Sequence, residues 1–139
     1  MHNSLDHANA SRVLSDMRLA ARPSQLGLAR EYAHGAASAF GLASDDCYDF
    51  AYAVNEAVTN AVRHGGADEH GQIGLSVVAD ENRLTLAVHD YGNFVLPVPE
   101  SDASSHGGRG FVLMAALTDD VQLSIGAWGT IVYLSKDRP

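Results

Sequence analysis

One cysteine, Cys47, stands among 139 residues, so no disulfide can form within the chain and a reducing compartment is expected. No apolar run approaches the roughly 20 residues that span a bilayer, so no membrane association is expected. The opening MHNSLDHANA has neither a basic n-region nor an apolar h-region, and a secretory signal is not expected either. Positive charge is scarce. Nine Lys and Arg against 17 Asp and Glu leave a formal charge of −8. Nucleic acid is therefore not the expected direct partner, because phosphate binding depends on Lys and Arg neutralising the backbone. A single nucleotide is not excluded, since backbone N–H groups and a metal ion can hold a triphosphate without a basic surface. The acidic surface also suits a partner with a basic face. No internal repeat is visible, and the seven histidines show no HExxH or paired-His spacing, which argues against a metal-dependent hydrolase. What remains is the composition of an ordinary cytoplasmic globular domain, 46% hydrophobic and 19% charged.

Residues 1–20 show no clean periodicity and read as a loosely ordered arm before a single domain over 21–139. From Pro23 the pattern is helical: Leu28, Tyr32, Ala36 and Phe40 recur every four residues, and Gly41 supplies a stop. A second helix follows Ser44-Asp45-Asp46, any of which is a candidate cap, with a stripe of Phe50, Val54, Ala57, Val58 and Ala61 before Gly65-Gly66. Alternation at Ile73, Leu75 and Val77, then at Leu84, Leu86 and Val88, predicts a hairpin around Asp80–Arg83. Asp90 to Gly108 reads as a long loop, a length that favours a functional lid. A short helix over Phe111–Leu117 and two strands, about Val121–Ile125 and Thr130–Ser135, close the chain. The order ααββ-loop-αββ predicts an α+β fold with helices on one face of a sheet.

The helix ending at Gly65 carries the candidate chemistry. Glu56, Asn60 and His64 stand at i, i+4 and i+8, so they line one face, away from the apolar stripe. A carboxylate, an amide and an imidazole in a row can position a hydroxyl, ligate a hard cation and touch a phosphate. By spacing alone the row also fits an ordinary solvated face. Asp90-Tyr91-Gly92 follows a strand, where a carboxylate can accept from an exocyclic amine, although the tripeptide is also a common turn. Gly107-Gly108-Arg109-Gly110 opens a helix, and glycines there let a phosphate approach free N–H groups. Gly129-Thr130 before the last strand is a weaker signal.

In this order the motifs resemble a family. Glu56-xxx-Asn60-xxx-His64 resembles the N-box of the GHKL ATPases, Asp90-x-Gly92 their first glycine box and Gly108-x-Gly110 the second. The nearer resemblance is to the anti-sigma factor serine-protein kinases, bacterial switch proteins of stress and sporulation. It runs from about Ala21 to Lys136 and includes Arg30, the Asn55–Ala61 core, Gly108–Met114 and Leu117–Val121. The resemblance implies a two-layer α/β sandwich of the Bergerat (GHKL) type, with a mixed sheet and helices on one face. It implies ATP and Mg²⁺ as cofactors, with Glu56 as general base and Asn60 as the Mg²⁺ ligand. His64 would lie near the phosphates, Asp90 at the adenine amine and Gly92 beside the base. Gly108, Arg109 and Gly110 would hold the triphosphate, with Thr130 near the adenine. The implied partners are a sigma factor and an anti-anti-sigma protein with a STAS domain, phosphorylated on serine. A homodimer through the first helix and a sheet edge is also implied. Phe94 stands where the family places a second glycine, and its ring is expected to turn into the core. The alternative reading, a regulatory binding module that keeps the fold without turnover, rests on that residue.

Overall fold

A computed structural model describes residues 12–92 and 106–139, without the side chains of residues 12, 13 and 106–109. The chain runs β1 (Arg12–Ala20), a 3₁₀ turn (Pro23–Gln25), α1 (Leu26–Phe40), α2 (Ser44–His64), β2 (Gln72–Ala79), β3 (Arg83–Asp90), α3 (His106–Leu117), β4 (Asp120–Gly126) and β5 (Gly129–Asp137). The strands form one sheet in the order β1-β2-β3-β5-β4, and every neighbouring pair is antiparallel. The α+β architecture is therefore as expected, but the sheet is not mixed. The reason lies in the connections. Between β1 and β2 the chain crosses the sheet twice, down α1 and back up α2, so β2 begins at the end where β1 stopped. The single crossing by α3 would leave β4 parallel to β3, but β5 pairs between them and runs against both.

Residues 12–20 are not a loose arm; they form β1, registered on β2 from Arg12↔Ala79 to Ala20↔Gln72. A bulge at Leu14 interrupts the alternation, which hides the strand from a period-two reading. Beyond it, Ser15, Met17 and Leu19 turn to the helices, and the Ser15 hydroxyl meets the Tyr32 hydroxyl at 2.7 Å. Residues 1–11 lie outside the described residues.

The core sits between the sheet and the helices. Phe50, Val54, Ala57, Val58 and Ala61 of α2 are buried there, against Ile73, Leu75, Val77, Leu84, Leu86 and Val88 of the hairpin, as their spacing predicts. At roughly 1.5–3 kcal/mol per buried large aliphatic or aromatic side chain, this layer dominates the stability. In α1 the fully buried line is Ala29, Ala33 and Ala37; of the expected stripe, Tyr32, Ala36 and Phe40 pack partly buried against the core beside it, and Leu28 is exposed. Small side chains let α1 approach α2 closely, and alanine gives a weak hydrophobic signal. Gly41, at φ 98°, ends the helix as expected. The cap of α2 is the backbone of Ala43, with no side-chain cap. Asp45 and Asp46 instead lie in its first turn, where negative charge suits the dipole. Asp46 also pairs with the largely buried Lys136 at 3.3 Å.

Candidate functional site

Glu56 and Asn60 are half-buried on the flank of α2 that turns toward α3. Gly110 packs directly on them: a Cβ there would lie 3.1 Å from the Asn60 amide nitrogen and 3.4 Å from a Glu56 carboxylate oxygen. The helix α3 starts at His106, earlier than the expected Phe111, so Gly107 to Gly110 lie within its opening turns and not ahead of it. The N-terminal end of α3, with its free N–H groups and positive dipole end, is thus brought against a carboxylate and an amide. No described residue hydrogen-bonds to either side chain.

The C-terminal end of α2 meets the end of β3. A Cβ on Gly65 would lie 2.5 Å from the Asp90 carboxyl carbon, and one on Gly92 would lie 2.5 Å from the Gly66 nitrogen. Only glycine permits this approach. Tyr91 N–H donates to the Gly66 carbonyl at 2.7 Å, and Gly92 N–H donates to Asp90 Oδ1 at 3.2 Å. Asp90 pairs with Thr130 across β3 and β5, so both side chains leave the helix-facing side of the sheet at its end. Thr130 Oγ1 is buried and has no hydrogen-bond partner among the described residues. Burial raises the Asp90 carboxyl above its ordinary pKa, against the opposing pull of the Gly92 and Gly66 N–H groups and of His89. A half-buried carboxylate acceptor beside a buried, orphaned hydroxyl fits a ligand that brings its own polar edge.

From Gly65 back to Glu56 is nine residues of helix, about 13 Å at 1.5 Å per residue. The candidate residues form a row of that length along α2, with Asp90 and Thr130 at one end and Glu56, Asn60 and Gly110 at the other. His64, the last residue of α2, is exposed at the first end. Gly108 and Arg109 lie in the first turn of α3, and the side chain of Arg109 is outside the description. Phe94 and residues 93–105 of the stretch from Asp90 to Gly108 read as a lid also lie outside the described residues. No group of three or more His, Cys, Asp or Glu able to hold a metal occurs among the described residues. A cation here would need oxygens from a ligand. The Asn60 amide oxygen, free of described partners, is a donor that suits a hard ion such as Mg²⁺.

The family model described as the histidine kinase-like ATPase domain matches residues 19–136. The chain belongs to this family. Within it, the chain sits with serine-protein kinases. It is 31% identical to the serine-protein kinase RsbW of Bacillus subtilis (strain 168) and 32% identical to that of Bacillus licheniformis. Each alignment covers 88% of this chain and 87% of the relative. Among solved structures, the RsbU and RsbW domains of a Mycobacterium tuberculosis protein match at TM-score 0.65 and 22% identity. That match covers 90% of this chain and 33% of the other, and it shows the shared fold.

Against the family pattern, the site holds parts that the sequence motifs leave out. Gly65 and Gly66 are more than a helix stop, because they let Asp90 and Gly92 dock on α2. Behind the Asp90 turn, on the open face of the sheet, Tyr91 stacks on His89 at 4.1 Å, and the Tyr91 hydroxyl accepts from Arg18 at 3.3 Å. His89 Nε2 in turn lies 2.6 Å from the Trp128 carbonyl. The Gly-Gly pair was the one available signal for the close approach; nothing local announces the Arg18–Tyr91 contact, whose members are 73 residues apart.

Proposed function

We propose that the chain transfers the γ-phosphate of ATP to a serine of an anti-anti-sigma protein with a STAS domain, and that it holds a sigma factor in its other state. The observation that carries the reading is the row along α2, with Asp90 and Thr130 at one end and Glu56, Asn60 and Gly110 about 13 Å away at the other. Asp90 accepts from the adenine amine, Gly92 gives the base room, and the Thr130 hydroxyl gains the partner it lacks. Gly108, Arg109 and Gly110 at the start of α3 hold the phosphates by N–H groups and the helix dipole. His64 flanks them. Asn60 would hold Mg²⁺, which supplies charge neutralisation at the phosphates when bound.

Glu56 is the general base. As the serine oxygen forms its bond to the γ-phosphorus, the hydroxyl proton passes to the Glu56 carboxylate. The bond from that phosphorus to the β,γ-bridging oxygen breaks, and its electron pair leaves with ADP. Such a transfer depends on positioning and charge stabilisation more than on covalent chemistry, which is what this arrangement offers. No helix among the described residues is long and apolar enough to cross a membrane, in keeping with the cytoplasmic location proposed here. A homodimer through α1 and a sheet edge is proposed on the family resemblance; β1 and β4 are the two edge strands.

The test is to incubate the chain with γ-labelled ATP, Mg²⁺ and the purified STAS-domain proteins of its own host, and to map the label by mass spectrometry. Label on one serine of one such protein is the expected result. Tight ATP binding with no label on any of them would reject the kinase reading.

A further inference from the structure

Two large aromatic rings stand in solvent on the helix that carries the proposed base. Tyr48 and Tyr52 are 57% and 59% exposed. They continue the four-residue spacing of Glu56, Asn60 and His64 toward the N-terminus of α2. Because four residues overshoot a helical turn by about 40°, the line runs obliquely. It leaves α3 at Asn60, passes Glu56 and Tyr52 on the outer surface, and reaches α1 at Tyr48. There the His34 ring braces Tyr48, centroids 4.8 Å apart. Beside the line, Asn55 is held by Arg30 Nη1 at 2.8 Å.

We propose that Tyr48 and Tyr52, with Asp45 and Asp49 beside them, seat the serine-bearing segment of the phosphoacceptor protein. The proposal rests on the phosphotransfer reading above and names the surface where that substrate lies. Direction decides the occupant. With the base of ATP at Gly65 and Asp90, its phosphates point along α2 toward Glu56. The attacking and leaving oxygens lie roughly in line in such a transfer, so the serine arrives from beyond Glu56. The first residue there is Tyr52, one turn away, with its side chain about 5–6 Å from that of Glu56 at the Cβ level. The α3 side is closed by Gly110. Tyrosine suits a protein contact, because it buries a rigid ring and keeps a polar tip. Asp45 is exposed and Asp49 half-exposed on the same outer surface. The segment that fits carries basic and apolar side chains next to its serine.

The assay is steady-state phosphorylation of the STAS-domain protein that the wild-type chain labels, with ATP affinity measured separately by calorimetry. Tyr52→Ala should raise the KM for that protein about tenfold or more. ATP affinity should stay within twofold, and the rate at saturating protein should be retained. Tyr52→Phe keeps the ring and should stay near wild type. Asp45→Lys with Asp49→Lys should also raise the protein KM and flatten its dependence on salt. Because these side chains are exposed, melting temperatures serve as the check on folding. An unchanged protein KM in the Tyr48→Ala/Tyr52→Ala double variant overturns the proposal. So does a parallel fall in ATP affinity, which would put the tyrosines in the nucleotide site. If the wild type labels no protein at all, it is the kinase reading that fails, and the seat fails with it.

Discussion

Gly65→Ala separates the proposed nucleotide end of the α2 row from its proposed chemistry. Gly65 lies at φ −86° and ψ −154°, negative-φ backbone, so the effect of a methyl group is steric. The new Cβ would stand 2.5 Å from the Asp90 carboxyl carbon, and 2.8 Å from both Asp90 Cβ and the Ala61 carbonyl oxygen. That carbonyl already accepts from Gly65 N–H at 3.1 Å and cannot retreat without breaking the last bond of α2. Asp90 must move by about 1 Å to restore ordinary carbon contact. Overpacking of this kind costs about 1–3 kcal/mol, and the lost flexibility of the unfolded chain offsets about 0.4–1 kcal/mol. The net loss, about 0.5–2 kcal/mol, corresponds to a fall in Tm of roughly 2–8 °C. The displaced carboxylate also loses a charge-assisted hydrogen bond to adenine, about 1.5–3 kcal/mol, so ATP should bind about 10- to 150-fold more weakly. Gly35→Ala is the comparator, because its Cβ would meet nothing within 4 Å in the middle of α1. It should gain about 0.5–1 kcal/mol and leave ATP affinity alone. Calorimetry and melting on both variants decide the matter. Wild-type ATP affinity in Gly65→Ala, with Tm lowered, would refute the role of Asp90.

Thr130→Val removes a buried hydroxyl that lacks a described partner; it should melt about as high as wild type or higher, since an unsatisfied group costs about 1–3 kcal/mol, while ATP affinity falls. Asp90 gives a pH dependence of opposite sign to an ion-paired carboxylate. Its folded pKa lies above the ordinary value because of burial, so its contribution to stability is fully present below the unfolded pKa of about 4 and is lost as pH rises through the folded one. Asp90→Asn, which cannot ionise, should therefore gain on wild type in melting experiments as pH is raised from 4 to 7. Over the same range wild-type ATP affinity should rise while that of the variant stays flat and weak.

How far the sequence reaches is clearest at β1 and along the candidate row of α2. Ile73, Leu75 and Val77, then Leu84, Leu86 and Val88, keep the two-residue spacing, and both strands are legible from it. In β1 the bulge at Leu14 shifts the alternation, and Ser15 puts a polar group on the core side, where Tyr32 satisfies it. No local pattern marks such a strand. The alanine line of α1 and the slot that β5 takes between β3 and β4 are likewise products of packing between distant segments. Glu56 and Asn60 were legible because one helix carries them at a fixed spacing. Their meeting with Gly110, and the docking of Gly65 on Asp90, join segments decades of residues apart. Motif order pointed to those meetings through resemblance, and the distances come from the fold.

The most direct test of the account is a single-turnover measurement of phosphate transfer from γ-labelled ATP to the acceptor serine by Glu56→Gln. ATP affinity is taken on the same preparation. Glutamine keeps the size and hydrogen bonding of the side chain beside Gly110 but cannot take the proton. Transfer should slow about 10²–10⁴-fold with ATP affinity within twofold of wild type. Transfer at the wild-type rate would contradict the assignment of Glu56 as the base and, with it, the proposed chemistry of the site.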